Sequence, residues 1–120
     1  EIVTQGVYVI SVAARLLHMH PQTLRKYERV GLVVPSRTIG MLRLYSVEDI
    51  VQLKLIKYMV EDLGMNLAGV EFSLRLINEV MELKERIRIV ARSKRVDSIV
   101  MEDVEELFNG FQKHFTGMVW

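Results

Sequence analysis

The chain of 120 residues has no cysteine and is half apolar. This predicts one domain, or one domain with an extension, and excludes wholesale disorder, disulfides and the thiolate ligands of a soft-metal sensor. No apolar run reaches the roughly 18 residues that span a bilayer and no signal-peptide pattern opens the chain, so we expect a cytoplasmic protein. The formal net charge is +1, but residues 1–60 carry eight Lys or Arg against four Asp or Glu, so the first half is the one suited to phosphates.

A short helix is the first predicted element. Ser11 is a good N-cap residue, which predicts a helix from Val12 to about Leu17. The residues expected to point into the core from one face of this helix are Val12, Ala13 and Leu16. Residues 18–20 then form a turn. We interpret its two histidines as turn residues, because a metal site needs three or four ligands and no further ligand lies near in sequence.

A second helix follows the turn and carries a basic face. Pro21 has its φ preset for the first helical position, which predicts a helix from Pro21 to about Val30, ended by Gly31. Its continuous polar face contains Gln22, Arg25, Lys26 and Arg29. A helix, a tight turn and a second helix form the geometry that lays the second helix along the major groove of DNA. We therefore expect Gln22 to contact adenine and Arg25 to contact guanine or phosphate; the alternative is a solvated basic face.

The segment from Pro35 to Ser46 breaks the helical period and predicts a hairpin that reverses around Gly40. Alternation places Arg43 and Tyr45 on one face of its second strand. The guanidinium groups of Arg37 and Arg43, together with a phenol hydroxyl, suit phosphates that flank the minor groove. The alternative is a solvated hairpin with Tyr45 packed in the core.

Two more helices are predicted after the hairpin. Ser46 and Asp49 resemble a capping box for a third helix that ends at Gly64, and Asn66 caps a fourth helix that begins at Leu67. From position 76 the apolar residues recur with spacings of 4, 3, 4 and 3, a 3.5-residue repeat. The members of this repeat are Leu76, Val80, Leu83, Ile87 and Val90. The repeat predicts a dimer seam, and the alternative is an amphipathic helix packed on its own domain.

The end of the chain is rich in aromatic residues. A polar break at residues 93–97 precedes a last predicted helix from Ile99 to Phe115. The apolar anchors of this tail are Phe108, Phe111, Phe115, Val119 and Trp120. Residues of this kind are enriched at the centres of interfaces, so the tail is either a surface for a protein partner or a helix that folds back on the dimer helices.

The helix-turn-helix followed by a hairpin, or wing, resembles the DNA-binding domain of MerR-type transcription regulators. The family motif T-L-R-x-Y-E is matched by Thr23, Leu24, Arg25, Tyr27 and Glu28, and the wing motif R…G…R-x-Y by Arg37, Gly40, Arg43 and Tyr45. The resemblance covers residues 7 to about 85. Within the family, the segments HPQTLRKYERVGLVVPSRT and NLAGV are most similar to heat-shock repressors of the HspR type.

The resemblance implies a mainly α fold with three parts. These are a winged helix-turn-helix DNA-binding domain over residues 7–75, a dimerisation helix over residues 76–92 and a short helical tail over residues 93–120. The implied DNA contacts are Gln22, Thr23, Arg25, Lys26, Tyr27, Arg37, Arg43 and Tyr45. The implied function is repression of chaperone genes by a homodimer that binds double-stranded DNA at an inverted repeat overlapping a promoter. The resemblance also implies a bacterial, nucleoid-associated protein with no cofactor or metal, and a DnaK-like chaperone as partner of the tail.

Other functions remain open at this point. The chain is similar enough to the family to be a MerR-type activator that responds to an unknown signal. It is also compatible with a protein-interaction module that acts through its coil and tail without DNA. An enzyme is the least favoured class, because no nucleophile is paired with a base and the carboxylates lie on solvated helical faces. DNA affinity that falls steeply with salt would distinguish a DNA-binding protein from the interaction module.

Overall fold

The computed structural model describes residues 7–94 and 97–119, with side chains described for residues 7–93 and 97–113. The chain divides into two compact units, an N-terminal unit of residues 1–57 and a C-terminal unit of residues 58–120. Among the described residues, no helix combines the length and the apolar character that a membrane crossing requires.

The described part of the N-terminal unit contains three helices and a three-stranded sheet. In chain order these are β1 (Val7–Val9), α1 (Ile10–Leu17), α2 (Pro21–Arg29), β2 (Ser36–Arg37), β3 (Arg43–Ser46) and α3 (Val47–Lys57). The strand order is β1-β3-β2 and both pairings are antiparallel, with Tyr8 opposite Tyr45 and Arg37 opposite Arg43. The predicted helix-turn-helix and wing are confirmed, and β1 is a strand that the sequence analysis did not predict.

Helix α1 begins earlier than predicted. Its N-cap is Val9, which has extended dihedrals and makes no side-chain cap hydrogen bond, so the prediction of Ser11 as the N-cap is wrong. Strand β1 leads directly into the helix at this point and leaves no separate capping segment. The buried residues of α1 are Ala13, Ala14 and Leu17. Leu16 is 49% exposed, so the inward face is rotated by one residue from the predicted one.

The junction between β3 and α3 follows the prediction. The Ser46 N–H donates to Asp49 Oδ2 at 3.0 Å, and the Asp49 N–H donates to Ser46 Oγ at 3.1 Å. This reciprocal pair is the predicted capping box, and it satisfies two backbone donors at the start of α3. Two α3 side chains then fix neighbouring backbone: Gln52 donates to the Leu32 carbonyl at 2.7 Å, and Lys57 Nζ donates to the Leu17 carbonyl at the end of α1 at 2.8 Å.

The described part of the C-terminal unit contains one π-helical turn, Tyr58–Asp62, and two long helices, α4 (Leu67–Lys94) and α5 (Ser98–Val119). Gly64 has φ +69°, the left-handed conformation that a glycine adopts freely, and Asn66 Oδ1 accepts a 2.8 Å hydrogen bond from the Gly69 N–H. The predicted cap before α4 is therefore confirmed. The third helix was predicted to continue to Gly64, but α3 ends at Lys57 and the π-helical turn takes up residues 58–62. Helix α4 is continuous across position 76, the predicted boundary between the DNA-binding domain and the dimerisation helix; that boundary remains a prediction.

Helix α5 packs on α4. Phe108 and Ala91 are each 8% exposed, Arg88 forms an ion pair with Glu105, and Lys84 Nζ donates to Asn109 Oδ1 at 3.4 Å. This part of the tail therefore follows the fold-back alternative. Among the other predicted anchors, Phe111 is half-buried and the side chains of Phe115 and Val119 lie outside the described residues, as does the whole of Trp120.

Candidate nucleic-acid interface

The turn before α2 fixes where that helix begins. His18 has φ 53° and closes α1 in the left-handed conformation. Pro21 is the first residue of α2, and His20 is its N-cap, with His20 Nδ1 accepting a 3.0 Å hydrogen bond from the Gln22 N–H. Both histidines are turn residues, as predicted, and His20 also provides the acceptor that a Ser or Thr usually supplies at this position.

Helix α2 lies on the core by one side and presents a basic face on the other. Leu24 and Tyr27 are 1% and 5% exposed. The predicted contact residues of the opposite side divide into Gln22 and Lys26, which are exposed, and Thr23 and Arg25, which are half-buried. No described carboxylate forms an ion pair with the three cations of this face, which are Arg25, Lys26 and Arg29. An uncompensated row of cations along one helix is an arrangement that attracts phosphates.

The wing is a short hairpin whose tip is closed by its own backbone. The Thr38 N–H donates to the Leu42 carbonyl at 3.0 Å, and the Met41 N–H donates to the Thr38 carbonyl at 2.9 Å. The residue with a left-handed conformation is Met41, at φ 67°, and not Gly40 beside it. The chain therefore reverses in the predicted loop, but its strained position is one residue later than the glycine suggested.

Both wing arginines converge on one carboxylate of α2. Arg37 Nη2 donates to Glu28 Oε2 at 2.7 Å, and Arg43 Nε donates to Glu28 Oε1 at 2.6 Å. The side chains are 31%, 26% and 18% exposed for Arg37, Arg43 and Glu28. The hydrogen bond from Arg43 lowers the pKa of Glu28; burial opposes this effect and the hydrogen bond from Arg37 adds to it. The wing is thereby attached to the helix that carries the basic face.

Two predicted DNA contacts lie in the core instead. Tyr45 is fully buried, and among the described residues its hydroxyl has no hydrogen-bond partner. Burial raises the pKa of Tyr45, and the nearby carboxylate of Glu28 raises it further, so the hydroxyl stays neutral. Tyr27 is also buried, at 5% exposure. Tyr45 thus packs in the core, which is the alternative that the sequence left open. In this conformation neither tyrosine presents a surface to DNA.

Two features of the interface were missed by the sequence analysis. One is the bridging role of Glu28, for which the only signal was an acidic residue in an otherwise basic helix. The other is the apolar tip of the wing, where Ile39 is fully exposed and Met41 and Leu42 are 66% and 60% exposed. Three large apolar residues in a five-residue loop are themselves a visible signal, because loops are normally polar.

The fold and this surface define a winged helix-turn-helix DNA-binding protein: a capped second helix with a cationic face, a three-stranded sheet and a wing fixed to that helix. Residues 8–82 match the family model described as the MerR HTH family regulatory protein. The chain belongs to this family of transcription regulators.

Individual relatives agree with this assignment. A Streptomyces coelicolor protein, provisionally named as heat shock protein HspR, is 52% identical over 80 residues, covering 67% of this chain and 53% of the relative. The chain thus spans about half the length of that protein. The transcriptional regulator GlnR of Bacillus anthracis is 30% identical over 91 residues, covering 73% of this chain and 70% of the relative.

Solved structures show the same fold. A MerR family transcriptional regulator from Bacillus cereus aligns over 95% of this chain and 94% of its own, with a TM-score of 0.55 and 22% identity. HiNmlR, a MerR family regulator lacking the sensor domain and crystallised with promoter DNA, aligns over 87% of this chain and 80% of its own, with a TM-score of 0.55 and 20% identity.

Proposed function

We propose that this protein is a sequence-specific repressor of heat-shock genes that binds an inverted-repeat operator as a homodimer. The observation that carries the proposal is the 52% identity to the Streptomyces coelicolor relative named HspR, which extends over 80 residues, or 67% of this chain. Identity at that level is well above the 30% that relates the chain to GlnR. It therefore favours the heat-shock group over the family at large.

The proposed reading of DNA follows from the exposure of the α2 side chains. Gln22 is exposed in the first turn, next to the N-terminus that a helix of this type directs at base edges. Its amide can pair with the N6 and N7 positions of adenine, which would make it the residue that selects sequence. Lys26 lies one turn later, and a cation there suits the backbone, which supplies affinity without selecting sequence.

The proposed dimer is supported by the exposed apolar face of α4. Leu76, Leu83 and Val90 are 49%, 50% and 50% exposed, and they recur every seven residues along one side of the helix. A shallow groove on this side is lined by Leu76, Val80 and Leu83 together with Glu79, Glu82 and Arg86. An apolar stripe bordered by charged residues of both signs is typical of a coiled-coil seam. A second copy of the helix would bury the stripe, and a twofold dimer would then present two copies of α2 to two half-sites.

DNA selection with the purified protein tests the proposal most directly. Random duplexes would be enriched through several rounds, and the recovered sequence would be located in the source genome. We expect an inverted repeat beside chaperone genes, and transcription of those genes should rise when the protein is deleted. Transcription that falls on deletion would favour the activator alternative. Failure to enrich any sequence would favour the protein-interaction module.

A chaperone co-regulator is a second part of the proposal. It rests on the family resemblance and on the apolar side chains that α5 leaves exposed, since Ile99 is 67% exposed and Leu107 is 73% exposed. Operator affinity would be measured with and without purified DnaK-type chaperone, for the wild type and for Leu107→Ser. We expect the chaperone to change the affinity of the wild type and to have less effect on the variant. An identical response in both proteins would remove this face of α5 from the proposal.

A further inference from the structure

We propose that Glu28 is the positioning residue of the DNA interface, which holds Arg43 in a fixed orientation toward phosphate and does not itself contact DNA. This inference rests on the proposed DNA-binding function. Its basis is that one carboxylate joins three elements, α2 and the two strands of the wing.

Both oxygens of the Glu28 carboxylate accept hydrogen bonds from the two arginines. Each of its oxygens accepts from a different guanidinium group, at 2.7 Å from Arg37 Nη2 and at 2.6 Å from Arg43 Nε. Charge-assisted hydrogen bonds of this length are the strong kind, and two of them in different directions fix the plane of the carboxylate. A shorter or neutral side chain at position 28 could not make both bonds in the same way.

The two arginines differ in which hydrogen-bond donors remain available for DNA. Arg37 also donates from Nη1 to the Met41 carbonyl at 3.1 Å, so it closes the wing loop as well as binding Glu28. Arg43 donates to Glu28 through Nε, and its terminal nitrogens have no hydrogen-bond partner among the described residues. The hydrogen bond at Nε restrains the guanidinium and leaves its two terminal nitrogens available, and these are the donors that bind a phosphate by two hydrogen bonds. Arg43 is therefore assigned to DNA, and Arg37 to the structure of the wing.

Removal of the Glu28 charge has two opposing effects on DNA binding. A carboxylate near the duplex repels phosphates, so its neutralisation alone should strengthen binding. Loss of the fixed orientation should weaken the contribution of Arg43, because a mobile guanidinium must be ordered when it binds. The DNA affinity of a single Glu28 variant reflects both effects. The effect of orientation alone is seen by comparing how much Arg43 contributes to DNA affinity with and without Glu28.

The experiment is a double-mutant cycle on the full chain. Dissociation constants for a random 30-base-pair duplex would be measured for wild type, Arg43→Ala, Glu28→Gln and the double variant. We expect Arg43→Ala to weaken binding about tenfold in the wild-type background, within the range of a charge-assisted contact, and about twofold or less in the Glu28→Gln background. Equal fold-changes in the two backgrounds would overturn the proposal.

Two further variants separate positioning from charge. Glu28→Asp keeps the charge but is too short to reach both arginines, so it should also reduce the Arg43 effect. Glu71→Gln is the matched control: it removes one negative charge from the exposed Glu71–Arg75 pair on α4, and the Arg43 effect should be unchanged in it. A Glu28→Asp protein that retains the full Arg43 effect would show that charge, and not position, is what matters.

A measurement without DNA distinguishes failure of this inference from failure of the proposed function. In the free protein the Arg43 Nε–H resonance should be sharp and slow to exchange with water, and in Glu28→Gln it should lose that protection. An unchanged resonance would refute the positioning role, whatever the protein binds. If the resonance changes as expected but the wild type binds neither random nor selected duplex, the ion pairs are structural and the DNA-binding function itself is refuted.

Discussion

Replacement of Tyr45 by Phe is a sharp test of whether the wing tyrosine belongs to the core or to the DNA interface. The side chain is 0% exposed and its buried hydroxyl has no partner among the described residues. A buried hydroxyl without a hydrogen bond costs about 1–3 kcal/mol of folding free energy. Its removal also loses a few van der Waals contacts of one oxygen atom, so the net gain should be at the low end. We expect Tyr45→Phe to raise the free energy of unfolding by about 1 kcal/mol.

The assay is urea unfolding at one fixed protein concentration, because the apparent stability of the proposed dimer would depend on concentration. Tyr8→Phe is the matched control: Tyr8 lies directly opposite Tyr45 in the sheet but is only half-buried, so its hydroxyl can reach water and its loss should be nearly neutral. Affinity for the selected operator would be measured on the same proteins and should be unchanged. A Tyr45→Phe protein that is less stable by about 1 kcal/mol would mean that the hydroxyl is hydrogen-bonded. A tenfold loss of operator affinity would mean that it reaches DNA.

Three other predictions concern the proposed dimer seam on α4, helix α2 and the wing ion pairs. Leu83→Asp should give a monomer in sedimentation and lose operator binding, because a dimer would bury an unpaired charge. The control Leu107→Asp on α5 should remain dimeric. A monomeric Leu107→Asp together with a dimeric Leu83→Asp would indicate that the interface lies on α5. Gln22→Ala should cost about 1–3 kcal/mol and relax preference at one base pair per half-site in repeated selection, whereas Lys26→Ala should weaken all duplexes alike and reduce the salt slope by about one. Folding lowers the pKa of Glu28, so its ion pairs stabilise the protein above pH 4.5, and this stabilisation is lost as the pH falls through the folded pKa. The Glu28→Gln variant should therefore lose less unfolding free energy on acidification than the wild type. Parallel curves of unfolding free energy against pH for the two proteins would contradict this.

Local rules predicted the second helix and its neighbours well. The structure begins α2 at Pro21, places Gly31 in the left-handed conformation and forms the cap at Asn66. Each of these depends on a residue's own dihedral preference or on a side chain within three positions. The start of α1 was predicted wrongly because it depends on residues that are distant in sequence. Whether Ser11 caps that helix depends on β1, and β1 is a strand only because it pairs with β3, whose residues lie more than thirty positions later.

The interface was predictable only where it depends on a single helix. The basic face of α2 follows from helical spacing, so Gln22 and Lys26 were assigned to it correctly as exposed residues. The roles of Glu28 and Tyr45 depend on which residues of the wing come to rest against α2. The Glu28–Arg43 hydrogen bond joins positions fifteen apart, and no periodicity encodes it. Alternation in the strand correctly gave Tyr45 a defined face, but it could not tell whether that face meets solvent or the core.

The contact between α5 and α4 affects the order in which the helices of the protein unfold. Along the described contact between the two helices, the buried side chains are Ala91 and Phe108. The hydrogen bonds between the two helices are partly or fully exposed to water. Because so few apolar side chains are buried along the described part of this contact, we expect α5 to detach with a free energy well below that of global unfolding. Amide hydrogens of α5 should therefore exchange with deuterium earlier than those of α3, where Leu53 and Ile56 are completely buried. Helix α5 would then unfold and refold as a separate cooperative segment while the wing and α2 stay folded.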